Sequence, residues 1–139
     1  MKIAVDFDGT IVENKFPAIG QAVPGAFYWL HTLQQAGAKL ILWSMRSEDY
    51  LDAAVRHCRE HGVLFDSVNE GIDDRDWTSS PKAYAHVYID DEAFGCPLID
   101  SKEMGARPMV NWDVVGPDLL RRIEKVSSNT LAEHGVIRS

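Results

Sequence analysis

The sequence predicts an α/β fold with a mainly parallel central sheet. Two observations carry this expectation. Short continuous apolar runs recur at Ile3 to Val5, Lys39 to Trp43 and Val87 to Ile89, the pattern of strands buried on both faces. Between them lie two segments with helically spaced apolar residues, each closed by a glycine, as crossovers between parallel strands require. With 139 residues the chain fits one domain and is long enough to bury one core.

The first strand runs into Asp6 and Asp8, and Gly9 then lets the backbone turn sharply off the sheet. Residues two apart in extended chain lean to the same side, so both carboxylates are expected to point together. Glu13 to Val23 contains Pro17 and Gly20 and keeps no period, which reads as a loop folding back beside that strand. Pro24 opens a helix at its favoured first position, with Phe27, Leu30 and Leu33 as the apolar stripe and Gly37 as the stop. Trp29 and His31 fall off the stripe and read as partly exposed.

At the end of the second strand, Ser44 stands on the rim where open α/β sheets bind ligands. Arg46 is a second donor close by, suited to a phosphate or a substrate carboxylate, with a plain surface salt bridge as the competing reading. Ser47 caps another helix whose stripe is Leu51, Ala54, Val55 and Cys58 and whose stop is Gly62; His57 and His61 near its end read as solvated. Val63 to Val68 fits a third strand, and Asn69 to Ser80 a polar loop carrying several acids and Trp77, a candidate substrate platform. The strand at Val87 to Ile89 ends in Asp90 and Asp91, with Lys82 shortly before it. Leu98 to Ile99 and Met109 to Val110 fit short edge strands, and Gly116-Pro117 opens a last helix with Leu119, Leu120, Ile123 and Val126 on one face. The domain is expected to span 1–128, with 129–139 as a tail.

The chemistry concentrates at the strand ends. Two carboxylates on a tight turn suit a hard cation such as Mg2+, which takes oxygen ligands and keeps room for water and substrate phosphate. A carboxylate there can also attack phosphorus, since Asp forms aspartyl-phosphates. Asp-Gly-Thr alone is an ordinary turn leaving a strand, and a serine after a strand or a single lysine is usually a surface feature. Adjacent Asp90 and Asp91 at a buried strand end are costlier, because like charges repel unless a cation or hydrogen-bond donors accept them.

Asp6-Phe7-Asp8-Gly9-Thr10 resembles the first motif of the haloacid dehalogenase-like superfamily, most of whose members are Mg2+-dependent phosphohydrolases. The apolar strand ending in Ser44 is similar to the second motif, and Lys82 followed by the strand ending in Asp90-Asp91 to the third and fourth. The resemblance implies a Rossmann-like three-layer α/β/α sandwich with a mainly parallel sheet. It implies Asp6 as nucleophile and Asp8 as acid and base. Mg2+ would be held by Asp6, the Asp8 main-chain carbonyl and Asp90, with Asp91 as an outer or alternative ligand. Ser44 and Lys82 would hold phosphoryl oxygens, with Gly9 and Thr10 beside the substrate, and the loop Glu13 to Val23 would be a short flap over the site. Larger members insert a substrate-selecting cap domain between motifs. Here both intervals are filled by one helix, one strand and short loops, so no cap domain fits. An open site of this kind admits a phosphorylated small molecule or the phosphorylated end of a larger one, or closure by a neighbouring subunit in an oligomer.

Composition narrows the partners. The formal charge of −7 argues against unassisted binding to nucleic acid, which rests on clustered Lys and Arg. No apolar run reaches membrane-spanning length and the chain enters a strand at once, so no membrane partner and a cytoplasmic location are expected. Cys58 and Cys96 have neither the number nor the spacing of a disulfide framework or a zinc site. Two other readings compete with the phosphatase. A receiver-type signalling domain also pairs acids at a strand end and uses a later lysine, but there the acid pair follows the first strand and the phosphorylated Asp ends a later one, an order this chain lacks. A noncatalytic relative that binds Mg2+ and a phosphorylated ligand as a regulator or partner fits the same residues.

Overall fold

A computed structural model describes residues 1–72 and 76–133. The elements run β1 (Lys2–Val5), α1 (Ala26–Gln35), β2 (Lys39–Leu42), α2 (Glu48–Glu60), β3 (Ser67–Val68), β4 (Val87–Ile89), β5 (Leu98–Ile99), β6 (Met109–Val110) and α3 (Trp112–Glu133). Four strands form one parallel sheet in the order β3-β2-β1-β4. The architecture is a Rossmann-like core flanked by helices, with no added cap among the described residues. The chain steps from β1 through β2 to β3 in one direction and then returns to the other side of β1 for β4. That reversal leaves a crevice beyond the carboxyl ends of β1 and β4, where open α/β sheets bind their ligands.

The apolar runs explain why β1 is central. Ile3 and Val5 face one side with Leu40 and Leu42 of β2, and in the same buried cluster lie Leu30 and Leu33 of α1, Ala54 and Cys58 of α2, and Leu119 and Ile123 of α3. Ala4 and Ile41, paired in register, face the other side. That side is covered by Ala83 and Ala85 ahead of β4, with Trp43 and Ile72 packed against them. Among the described residues the second flanking layer is therefore irregular chain where a further helix would stand. Small Ala4 suits it, because a backbone can approach closely.

Several expected boundaries shift. Pro24 precedes α1 by two positions, and Gly25 takes the left-handed cap conformation at φ 82. Only Ser67 and Val68 pair as β3; before them, the Asp66 carboxylate accepts the Leu40 N–H at 2.8 Å and the Asp66 N–H bonds the Leu40 carbonyl, so a side chain stands in for part of the ladder. β5 and β6 pair antiparallel with each other in a separate two-stranded sheet. α3 begins at Trp112, four residues before the Gly116-Pro117 start read from sequence. Pro117 is the sixth residue of α3, so the bond that an N–H there would make to the Asp113 carbonyl is missing from the helix. The helix also runs through position 128, continuous into the stretch read as a tail; 134–139, like the acid-rich Asp73 to Arg75, lie outside the described residues.

Side chains off the expected stripes bind the helices together. A Cβ on the buried Gly116 would collide with the Trp29 indole, so that ring lies directly on α3 and only part of it meets solvent. His61 stacks on Phe27 of α1 with ring centroids 4.4 Å apart, and His57 lies beside His61 at 4.5 Å, so neither imidazole is merely solvated. Burial and the neighbouring His61 hold the His57 pKa below its usual value.

Candidate functional site

β1 and β4 deliver three carboxylates to one place. The Asp6 N–H bonds the Ile89 carbonyl at 2.9 Å, which fixes the end of β1 against the end of β4. Oxygens of Asp6, Asp90 and Asp91 then lie within 4.8 Å of one another. Burial, followed by the charge of Asp90 and by the hydrogen bond and charge of Asp91, pushes the Asp6 pKa up to about 8, against a lowering bond from the Phe7 N–H. Asp91 is also raised, chiefly by burial. A partly buried acid that keeps its proton near neutrality marks a place where positive charge is missing. The three acids are hard oxygen donors, the set that a divalent ion such as Mg2+ prefers.

The turn after β1 is built to admit this cluster. Gly9 has φ +88, and a Cβ there would collide with the Asp91 carboxylate, so glycine is needed both for the turn and for the close approach of β4's end. Thr10 is fully buried; its hydroxyl donates to Asp6 Oδ2 at 3.3 Å and accepts the Asp91 N–H at 3.2 Å. Below it, the buried Trp112 indole N–H donates to the Thr10 carbonyl at 2.8 Å. Gly9 and Thr10, read from sequence as lying beside the substrate, support the carboxylates from within.

Asp8 goes elsewhere. Its side chain leaves the acid cluster and forms a fork with Arg46, Nε to Oδ2 at 2.8 Å and Nη2 to Oδ1 at 2.8 Å. The alternation that would align it with Asp6 fails because β1 stops at Val5 and the chain is already turning, with the Thr10 and Ile11 N–H groups closing back on the Phe7 carbonyl. Arg46 is only 2% exposed. Its remaining bonds go to the carbonyls of Pro17, Ala18 and Tyr50, at 3.2, 2.9 and 3.4 Å, and its guanidinium lies 5.0 and 5.1 Å from the Phe7 and Phe16 ring centroids. The arginine read as a substrate donor is thus a buried clamp that joins Asp8 to the loop Glu13 to Val23.

Ser44 and Asp90 share a recess with Asp6. The Ser44 hydroxyl accepts the Arg46 N–H at 3.0 Å. Asn69 escaped the sequence reading; at φ 53 its side chain accepts the Ser44 N–H at 2.8 Å and donates to the Arg46 carbonyl at 3.3 Å, holding the loop after β2. An Asn directly after a strand, tolerant of the left-handed region, was the available signal. Lys82 sits exposed with its ammonium 5.0 Å from the Tyr88 ring centroid. Trp77 is 80% exposed and does not line the recess.

Among known proteins, a solved structure of a conserved protein from Bacteroides thetaiotaomicron is similar to this chain, with 36% identity and a TM-score of 0.69 over 88% of this chain and 91% of that one. No family model matches the chain, and no curated protein matches it. Identity at that level across nearly the full length of both proteins, with the same backbone path, means that this chain belongs to the same family as the conserved Bacteroides protein.

Proposed function

We propose that the chain is a Mg2+-dependent phosphomonoester hydrolase of the haloacid dehalogenase-like type, working through an aspartyl-phosphate on Asp6. The observation that carries this reading is the convergence of Asp6, Asp90 and Asp91 at the crevice between β1 and β4. Support comes also from the order of the motif residues Asp6-Phe7-Asp8-Gly9-Thr10, Ser44, Lys82 and Asp90-Asp91 along the chain. Asp6, Asp90 and Asp91 would hold the ion together with the Asp8 main-chain carbonyl. When bound, Mg2+ supplies positive charge that favours ionised Asp6 and offsets the charge of the phosphoryl oxygens.

In the first step an Asp6 oxygen bonds to phosphorus, the bond from phosphorus to the leaving oxygen breaks, and Asp8 gives that oxygen a proton. In the second, water bonds to phosphorus, Asp8 takes its proton, and the bond to Asp6 breaks to release phosphate. Ser44 and Lys82 hold phosphoryl oxygens through both steps. Asp8 must first leave Arg46, because a carboxylate accepting on both oxygens has no proton to give. Since Arg46 is bonded to the carbonyls of Pro17 and Ala18, displacement of that loop is coupled to release of Asp8.

The same fork favours a second reading, a noncatalytic domain that binds Mg2+ and a phosphorylated ligand as a regulator. Phosphate release from aryl phosphates with and without Mg2+, using the natural chain and Asp6→Asn, separates the two. The enzyme reading expects turnover that needs both the ion and Asp6. No Mg2+-dependent release from any phosphate ester, alongside retained ion binding, leaves the regulator.

A further inference from the structure

We propose that the recess beside the acid cluster is a leaving-group subsite for a neutral, flat, largely apolar group, an aryl or heteroaromatic ring carried on the phosphate. This rests on the phosphatase reading for the role of the phosphate, and on the recess itself for the group attached to it. The recess has a volume of about 400 Å3, and Asp6 and Asp90 lie at its acidic end. That places any ester whose phosphorus reaches Asp6 with its remaining bulk against the other walls.

Three of the five residues in those walls are apolar. Trp43 contributes its half-buried indole, anchored on the cluster of Ala4, Ile41, Ala83 and Ala85. Met45, 98% exposed, and Pro81 line the same recess. An exposed methionine beside an indole and a proline ring offers a polarisable, adaptable face for a planar ring.

The polar groups in the walls are mostly committed, with one Asn69 amide N–H and the Ser44 hydroxyl proton left over. Asn69 uses its side-chain oxygen on the Ser44 N–H and its amide on the Arg46 carbonyl. Ser44 accepts from the Arg46 N–H, leaving its hydroxyl proton for one bond to a ligand. A polyhydroxylated sugar would lose many water hydrogen bonds here and regain few. A second phosphate fares worse. The residues lining the recess include two carboxylates and neither a lysine nor an arginine among those described, and Lys82, the cation assigned to phosphoryl oxygens, serves the phosphate at Asp6.

The test measures binding and turnover separately. Binding of naphthyl phosphate, phenyl phosphate and glycerol phosphate to Asp6→Asn in the presence of Mg2+ is followed by calorimetry, which requires no catalysis. Turnover of the same esters by the natural chain is followed by phosphate release. The naphthyl ester is expected to bind about tenfold more tightly than glycerol phosphate, a step that the added apolar burial accounts for. Met45→Ala in the Asp6→Asn background should narrow the gap between naphthyl and phenyl esters, which have leaving groups of similar basicity. Equal affinity for all three, or a gap unmoved by Met45→Ala, overturns the subsite. Turnover without a binding preference removes the subsite and keeps the phosphatase; a binding preference without turnover of any ester does the reverse.

Discussion

Asp6 and Asp8 stand two residues apart and have opposite surroundings. Asp6 shares a partly buried corner with Asp90 and Asp91 and is held protonated up to about pH 8. Asp8 is neutralised by a guanidinium that is itself hidden from water. For Asp6, replacement by Asn removes the proposed nucleophile while keeping the shape, so under the phosphatase proposal phosphate release should vanish while circular dichroism and cooperative unfolding stay as in the natural chain. Retained turnover in that variant would count against the covalent route. For Arg46, loss of the side chain strands the Asp8 charge and three carbonyls, and breaking one partner of a buried pair typically costs about 3–5 kcal/mol. Arg46→Ala should lower unfolding stability in urea by that order. A change near zero would mean the fork contributes nothing that water cannot replace.

Among the elements, the contact of α1 with α3 depends on a missing side chain. Trp29 lies flat over Gly116, where even a methyl group would collide with the ring. Alanine is normally the better helix former by about 1 kcal/mol, whereas overpacking a filled contact costs about 1–3 kcal/mol. Gly116→Ala is therefore expected to destabilise the natural chain and to stabilise a Trp29→Ala background, as read from denaturation midpoints of the four proteins. The same sign in both backgrounds would show that the indole swings aside at little cost. The loop Glu13 to Val23 is likewise defined by what it meets. Its carbonyls at Pro17 and Ala18 bond to Arg46, and Glu13 accepts from the Ser101 hydroxyl at 2.6 Å.

For the whole molecule, the acid cluster makes stability depend on pH in an unusual direction. An unfolded Asp titrates near 3.8, and Asp6 in the folded chain near 8. The folded state therefore holds a proton that the unfolded state has already lost, and stability falls as pH rises from about 4 to about 8 before levelling off. Each tenfold difference in proton affinity between the two states is worth about 1.4 kcal/mol, and coupling to Asp90 and Asp91 limits the total to a few kcal/mol at most. Without divalent ions the melting temperature should thus be higher at pH 5 than at pH 8, and Asp6→Asn should flatten that slope. Mg2+ should raise the melting temperature more at pH 8, where the proton no longer competes for the oxygens. An equal Mg2+ effect at both values would argue that the ion binds away from Asp6.

Read as a string, this chain already declared its main strands and the acids at their ends. Short continuous apolar runs bounded by turn residues fit strands covered on both faces, and the acids at their ends fall on the carboxyl rim of a parallel sheet wherever such strands pair. From that the α/β class and the meeting of Asp6 with Asp90 and Asp91 could be read. Local pattern says nothing, however, about contacts between residues distant in sequence. Only the folded chain decided that Arg46 reaches back to Asp8, that Asn69 holds the loop after β2, that Trp29 rests on Gly116, and that one face of the sheet is covered by Ala83 and Ala85. Each of these depends on the path of the backbone between elements, and periodicity carries no record of that path.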